Sequence, residues 1–236
     1  MTPRGRGWHP PAIAPAYRSS RTRGPMQAPI EMPATPSEET GPVFTRDLLR
    51  PSDGDLITNF ARPGQMAIGQ RLIVHGRVLD EEGRGVPGAL LEVWQANAGG
   101  RYRHASEGYL APLDPDFGGC GRMMTDAEGR YRFTTVKPGA YPWPNGGNDW
   151  RPAHIHFSLF GASWGQRLIT QMYFEGDPLI ARCPIVGAIP TPEGIDALIA
   201  RLDWEETLPM DARAYRFDIV LRGKGAVPFG NRPEGT

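Results

Sequence analysis

The 236-residue sequence has two cysteines, Cys120 and Cys183, and no apolar run long enough to cross a bilayer. Two cysteines exclude a disulfide framework and a paired CxxC metal site, and we expect both to be free thiols in a reducing compartment. A membrane helix needs about 20 consecutive apolar residues, so no membrane contact is expected. The basic N-terminus has no apolar segment typical of a secretion signal, so the cytoplasm is the expected location.

The sequence also lacks a net charge, because 26 Lys and Arg residues balance 26 Asp and Glu residues. A neutral chain has no overall field to attract nucleic acid or an anionic membrane, so neither is an expected partner. Low self-repulsion permits association with other protein chains.

Glycine (30 residues) and proline (25 residues) are abundant. Residues 1–66 are rich in proline and have no clear periodicity, which predicts an extended N-terminal arm that makes subunit contacts. A stretch of this length without regular structure is unusual inside a compact domain, so it is either disordered or held against a partner, and its aromatic residues favour the second alternative. Residues 67–236 are expected to form the main folded domain, which carries the functional site.

Beyond the arm, short apolar runs alternate with turns rich in glycine and aspartate. These runs predict strands at 71–79, 89–94, 131–136, 154–160, 168–174 and 214–221. The first two flank the turn 80–85 and are expected to pair as a hairpin.

One helix is predicted after Thr191, because Thr191 suits an N-cap and Pro192 suits the first helical position. Ile195, Leu198 and Leu202 then recur at helical spacing. Several short strands and one short helix in the C-terminal half predict a mainly β protein with an antiparallel β-sandwich core.

The segment 139–156 holds the densest group of polar and aromatic residues and ends in His-x-His. Strand side chains alternate with a period of two, so His154 and His156 face the same side and can bind one metal. The alternative is a pair of hydrogen-bonded histidines on a solvated face.

The residues alone leave the remaining metal ligands open. Asp149 and Glu175 are the nearest acids, so zinc or iron(II) with two histidines and one carboxylate is one solution. Tyr102 and Tyr141 lie in glycine-rich segments and offer phenolates, which ionise at neutral pH only on a strong Lewis acid such as iron(III).

Several long motifs resemble those of the intradiol ring-cleavage dioxygenases. They include Val-His-Gly-Arg-Val at 74–78, Gly-Arg-Tyr at 100–102, and the segment 141–156, which resembles the iron-binding stretch of that family. Further similar runs lie at 94–104, 110–115, 171–180 and 215–223. The similarity covers nearly the whole chain. Some members of the family consist of two homologous chains, and the similarity is greatest to the one of these chains that carries the iron.

This resemblance implies an enzyme that uses non-haem Fe(3+) and O2 to cleave the aromatic ring of a dihydroxybenzoate. The four ligands of the ferric ion would be Tyr102, Tyr141, His154 and His156. Tyr141 also corresponds to the ligand that leaves when the substrate binds.

The resemblance further implies that Arg151 and Gln171 act beside the bound ring. Residues that correspond to the walls of the substrate pocket are Trp143 and Ile185 on the main domain, and Tyr17 and Arg23 on the arm. Tyr17 would lie near the substrate carboxylate. The purely structural alternatives are an Arg151–Asp149 ion pair and simple packing of Trp143.

A homologous α chain without the ligands is the implied partner, and it would close part of the pocket in a hetero-oligomer. The favoured substrate is 3,4-dihydroxybenzoate, with catechol and hydroxyquinol as alternatives. Two other classes of protein remain to be tested: a zinc hydrolase using His154, His156 and a carboxylate, and a non-catalytic transthyretin-like binding module.

Overall fold

The computed structural model describes residues 10–27, 46–161, 167–221 and 225–228. Strands dominate it: β1 (Arg71–Leu79), β2 (Leu90–Trp94), β3 (Cys120–Met124), β4 (Arg130–Val136), β5 (Tyr141–Trp143), β6 (Asp149–Arg151), β7 (His154–Phe160), β8 (Arg167–Phe174), β9 (Ile199–Leu208), β10 (Ala212–Arg216) and β11 (Ile219–Val220). The helices are α1 (Ser20–Arg23) and α2 (Pro192–Asp196), with short 3-10 turns at Arg46–Leu48, Ile180–Arg182 and Val186–Ala188. Within the described ranges, no helix combines the length and apolarity needed to cross a membrane.

Nine of the strands form one curled sheet in the order β3-β2-β7-β8-β9-β10-β1, with β4 and β11 also paired to β1. The edge strands β3 and β4 follow each other in sequence, so the turn between them draws the two edges together and nearly closes the sheet. The strands bury a single large apolar core inside it, which includes Val74, Leu91, Phe133, Phe157 and Met172. The predicted mainly β fold is confirmed.

Three strand pairs are parallel, whereas the sequence predicts an antiparallel core. β1 lies parallel to β10 and β11, and β8 lies parallel to β9. Parallel neighbours need a long crossover, and residues 175–198, which contain α2, supply it between β8 and β9. Alternation of apolar residues carries no information about strand direction, which is why the sequence could not predict this pairing.

The predicted hairpin of β1 and β2 is wrong. β1 pairs with β4 on one side and with β10 and β11 on the other, so neither of its edges is free for β2. β2 pairs with β3 and β7 instead. The turn after β1 closes on itself through a bridge between Leu79 and Gly85.

The predicted helix begins as expected but ends early. The Oγ1 of Thr191 accepts a hydrogen bond from the Gly194 N–H at 3.1 Å, and Pro192 opens α2. The helix stops at Asp196, and Ile199 and Leu202 belong to β9. Pairing of β9 with β8 and β10 outweighs the helical spacing of these apolar residues.

The segment before residue 67 contributes to the core. Leu56 is fully buried in the main apolar cluster, and its N–H donates to the Thr134 carbonyl of β4 at 2.9 Å. Within residues 10–27, Tyr17 meets Trp143 of β5, and the backbone of Ala16 and Arg18 bonds to Asn145 between β5 and β6. Residues 1–9 and 28–45 of the predicted arm lie outside the described residues.

Candidate metal centre

The four predicted ligands converge at one end of the sheet. His154 and His156 lie on one face of β7, with ring centroids 4.9 Å apart. Tyr141 opens β5, and Tyr102 lies in the loop after β2. The two phenol rings meet edge to face with centroids 5.6 Å apart.

The oxygen and nitrogen atoms of this group point toward each other. The Tyr102 and Tyr141 hydroxyl oxygens lie 3.4 and 3.5 Å from Nε2 of His154. The His156 ring lies 6.2 Å from the Tyr102 ring, centroid to centroid. Side chains from β7, from the start of β5 and from the loop after β2 therefore surround a common space.

Two glycines bring the two tyrosine-bearing segments together. Gly100 has a φ of 83°, and a Cβ there would lie 2.3 Å from the Ala140 carbonyl oxygen. A Cβ on Gly139 would lie 2.5 Å from the backbone nitrogen of Gly100. Only glycine permits this backbone approach, so both positions set the distance between Tyr102 and Tyr141.

Both imidazoles are neutral, so their nitrogen lone pairs can bind a metal. Nδ1 of His154 lies 2.7 Å from the Pro152 carbonyl oxygen, and donation to that oxygen leaves the lone pair of Nε2 directed at the phenols. Burial, reinforced by the nearby charge of Arg151, lowers the pKa of His154 well below its ordinary value. The same causes lower the pKa of His156 to about 3.

The phenols are held neutral in the absence of a metal. Burial raises the pKa of Tyr102 well above 10, and the neighbouring Tyr141 raises it further. Burial also raises the pKa of Tyr141, although Arg151 and a hydrogen bond with Tyr102 oppose the shift. A strong Lewis acid is needed to ionise these oxygens near neutral pH, and the combination of two phenols and two neutral imidazoles fits ferric iron.

Arg151 and Gln171 lie together beside this group. The buried Arg151 donates from Nη2 to Gln171 Oε1 and, at 3.1 Å, to the Tyr173 hydroxyl. The Tyr173 hydroxyl donates to the same Gln171 oxygen at 3.0 Å. The predicted alternative, an ion pair of Arg151 with Asp149, is wrong, because Asp149 accepts from Asn145 instead.

Arg151 keeps its charge in this buried setting. Burial lowers its pKa, but Tyr173, Cys183 and Tyr141 raise it, and the net pKa lies above the ordinary value. Its Nε is buried and has no hydrogen-bond partner among the described residues. The guanidinium is therefore a fixed positive charge whose Nε–H is unpaired among the described residues.

The predicted pocket residues form a chain of contacts from the arm to this group. The Tyr17 ring meets Trp143 edge to face, with centroids 5.3 Å apart. The Arg23 guanidinium lies 5.2 Å from the Tyr17 ring, and the Arg151 guanidinium lies 5.7 Å from the Trp143 ring. Ile185 is partly buried against the main core, and its place in the pocket wall stays a prediction.

Sequence reasoning missed three residues of the site: Trp94, Asn145 and Tyr173. Tyr173 lies two positions after Gln171 on β8, so the period of a strand could have identified it. Trp94 stacks on His156 from the neighbouring strand, and Asn145 contacts the arm. No local sequence signal marks these two contacts.

The arrangement of acids disfavours the zinc alternative. Among the described residues, no three His, Cys, Asp or Glu side chains cluster as a metal site. Asp149 accepts a hydrogen bond from the Asn145 side chain, and Glu175 accepts one from the Leu202 N–H at 2.6 Å. The two histidines therefore lack the carboxylate that the alternative requires.

Two family models match this sequence. The sequence matches the family model described as "Dioxygenase" over residues 39–223. It also matches the model described as "Protocatechuate 3,4-dioxygenase beta subunit N terminal" over residues 2–35. The chain belongs to the intradiol ring-cleavage dioxygenase family and is an enzyme of that family.

Relatives that align over most of this chain show which members of the family it is similar to. The chain is 52% identical to the protocatechuate 3,4-dioxygenase beta chain of Burkholderia cepacia, over 97% of each chain. It is 33% identical to the alpha chain of the Pseudomonas putida enzyme, over 85% of this chain and 98% of that one. The dioxygenase domain from Streptomyces sp. SirexAA-E superposes with a TM-score of 0.52 at 28% identity, covering 79% of this chain and 97% of that domain.

Proposed function

We propose that this chain binds ferric iron through Tyr102, Tyr141, His154 and His156 and cleaves protocatechuate (3,4-dihydroxybenzoate) with O2 to 3-carboxy-cis,cis-muconate. The observation that carries the proposal is the convergence of both phenol oxygens on Nε2 of His154, at 3.4 and 3.5 Å. Ferric iron, when bound, would supply Lewis acidity and draw electron density from the two ring oxygens of the substrate.

The two tyrosines have different environments, which supports different roles. Burial raises the pKa of both phenols and Arg151 lowers both, but the hydrogen bond between them lowers the pKa of Tyr141 and raises that of Tyr102. Tyr141 corresponds to the ligand that leaves when substrate binds in this family, so Tyr141 Oη is the candidate to accept a proton from a ring hydroxyl as the substrate binds. Tyr102 and the two histidines would remain in place.

The triad of Arg151, Gln171 and Tyr173 would hold a positive charge beside the ring. Gln171 and Tyr173 fix the guanidinium by hydrogen bonds, so its charge needs no rearrangement during the reaction. A fixed charge of this kind stabilises negative charge that develops on the substrate. The unpaired Nε of Arg151 leaves a donor available for that purpose.

The arm supports protocatechuate as the substrate. The Tyr17 ring contacts Trp143 and the Arg23 guanidinium contacts the Tyr17 ring, and a hydroxyl and a guanidinium both suit a carboxylate on the aromatic ring. The full-length similarity to a protocatechuate 3,4-dioxygenase beta chain supports the same choice. Catechol and hydroxyquinol are the alternative substrates, since they share the vicinal hydroxyls but lack this carboxylate.

We also propose a homologous α chain as partner, with the Pro-rich N-terminal arm taking part in subunit contacts. The similarity of this chain to both a beta chain and an alpha chain supports a pair of related subunits. Co-expression with an α chain should raise the activity per iron, compared with the chain expressed alone. A fully active, monodisperse monomer would refute the need for a partner.

The main experiment combines colour, iron content and product. The purified protein should be red-brown with one iron per chain, and O2 uptake with protocatechuate should yield the carboxymuconate. Catechol and hydroxyquinol complete the substrate panel. A colourless protein that takes up no iron, or an active protein with zinc alone, would overturn the assignment.

A further inference from the structure

The side chain of Asn145 joins the N-terminal segment to the hairpin formed by β5 and β6. Asn145 lies in the loop between these strands and is only 5% exposed. Its Oδ1 accepts from the Arg18 N–H at 2.7 Å, and its Nδ2 donates to the Ala16 carbonyl at 2.8 Å. The amide thus pairs with the backbone on both sides of Tyr17, as a neighbouring strand would.

A third hydrogen bond fixes the orientation of this amide. Nδ2 of Asn145 also donates to Asp149 Oδ2 at 2.7 Å. A flipped amide would set its NH2 group against the Arg18 N–H and its oxygen against two acceptors, so one orientation satisfies all three partners. A Cβ on Gly146 would lie 2.7 Å from Asp149 Oδ2, so the glycine leaves room for this carboxylate.

The segment that Asn145 holds is itself a closed loop. Ser20 Oγ accepts from the Ala14 N–H at 2.9 Å and donates to the Tyr17 carbonyl at 2.6 Å, while the Gly24 N–H donates to the Ser20 carbonyl at 2.7 Å. Within the described ranges, the hydrogen bonds from residues 14–24 to the rest of the chain are the two made by Asn145. The loop therefore docks as a unit.

We infer that Asn145 is a positioning residue that latches residues 14–24 over the site and thereby sets the preference for a ring that bears a carboxylate. The inference rests on the proposed function, in which Tyr17 and Arg23 face that carboxylate. Without the latch, the ring contact that still joins Tyr17 to the main domain, among the described residues, is its edge contact with Trp143. Binding of a ring without a carboxylate does not depend on that placement.

The test compares two ligands in the iron-loaded complex with the α chain. Asn145→Ala should weaken binding of protocatechuate about tenfold, the loss expected when a charged group is no longer met by a fixed donor. The dissociation constant of catechol, the iron content and the visible spectrum should stay close to those of the wild type. Both constants are measured by spectral titration without O2, so turnover does not enter.

Two further variants keep the result interpretable. Asn148→Ala is the matched control, because Asn148 lies in the same loop, is exposed, and bonds to Trp150 Nε1 at 3.2 Å instead of to the arm. Asn145→Asp keeps the size of the side chain and an acceptor for Arg18, but it removes both donors and faces Asp149. It should reproduce the loss of preference even if the alanine variant folds poorly.

Tryptic cleavage supplies a readout that is independent of catalysis. Arg18, Arg21 and Arg23 all lie in the latched segment and are at least partly exposed, so cleavage after them should accelerate in both Asn145 variants but not in Asn148→Ala. An unchanged ratio of the two dissociation constants, together with unchanged cleavage, overturns the inference. A wild type that binds neither ligand refutes the proposed function instead, and the cleavage rates still decide the role of Asn145.

Discussion

The indole ring of Trp94 lies parallel to the imidazole of His156, with an interplanar angle of 2° and centroids 4.7 Å apart. The two residues are cross-strand partners on β2 and β7. Among the described residues, His156 has no hydrogen bond comparable with that of His154 to the Pro152 carbonyl. The two imidazoles are therefore oriented by different forces, one by a hydrogen bond and the other by stacking.

Replacing Trp94 should loosen His156 and weaken iron binding. Aromatic stacking contributes about 1 kcal/mol, so Trp94→Leu should release iron to a chelator about fivefold faster. Trp204→Leu, at a position that is 74% exposed on β9, is the matched control. An iron release rate in Trp94→Leu equal to that of the control would show that stacking does not orient this ligand.

Variants of Tyr141 and His156 should separate the effect on substrate binding from the effect on metal retention. Tyr141→Phe leaves the other three proposed metal ligands in place, so the protein should keep its iron. The rate of substrate binding should fall at least about tenfold, because the proton acceptor is lost. His156→Ala should lose iron. Stopped-flow binding and iron analysis measure the two effects, with Tyr109→Phe as the control. Equal iron loss in the Tyr141 and His156 variants would contradict this division.

Local sequence signals predict the strands in which the alternation of apolar residues is uninterrupted. The prediction for β7 runs from His154 to Phe160, as observed, because alternating apolar residues follow directly after Pro152. β5 and β6 have three residues each and escape prediction, since such short strands carry no period. β9 escapes it because Ile199 and Leu202 also fit a helix, and only pairing with distant strands decides between the two.

The candidate site is predictable where one strand carries it and where the family resemblance names its residues. The period of two along a strand is enough to place His154 and His156 on one face. The closeness of Tyr102 to Tyr141 depends on the backbone contact of Gly100 with Ala140, and no spacing along the chain encodes that distance. Contacts between remote segments, such as that of Asn145 with the arm, lie beyond local pattern for the same reason.

An ion pair that anchors the segment before β1 should make stability sensitive to acid. Arg62 donates to both carboxylate oxygens of Asp116, at 2.9 and 2.8 Å, and these hydrogen bonds lower the pKa of Asp116 to about 2. The folded pKa lies below the unfolded value of about 3.9, so this contribution is present above pH 4 and is lost as the pH falls toward 2.

Thermal unfolding between pH 5 and pH 2 tests this prediction at about 0.1 M salt, where screening is moderate. The melting temperature of the wild type should fall more steeply with acid than that of Asp116→Asn, which has no carboxylate to protonate. Glu82→Gln, on an exposed turn, serves as the control. Parallel curves for the wild type and Asp116→Asn would show that the pair contributes nothing measurable.

Arg151 should matter through its geometry as well as its charge. Arg151→Lys keeps the positive charge but cannot bridge Gln171 and Tyr173 with a planar fork, so the charge is no longer fixed beside the ring. Loss of one preorganised electrostatic contact lowers kcat about 100-fold in comparable sites. The iron content should be unchanged, because Arg151 is not a proposed ligand. Arg130→Lys, on the exposed end of β4, controls for the substitution itself. If Arg151→Lys retained the full kcat, the charge alone would suffice and the hydrogen-bonded fork would have no role in the reaction.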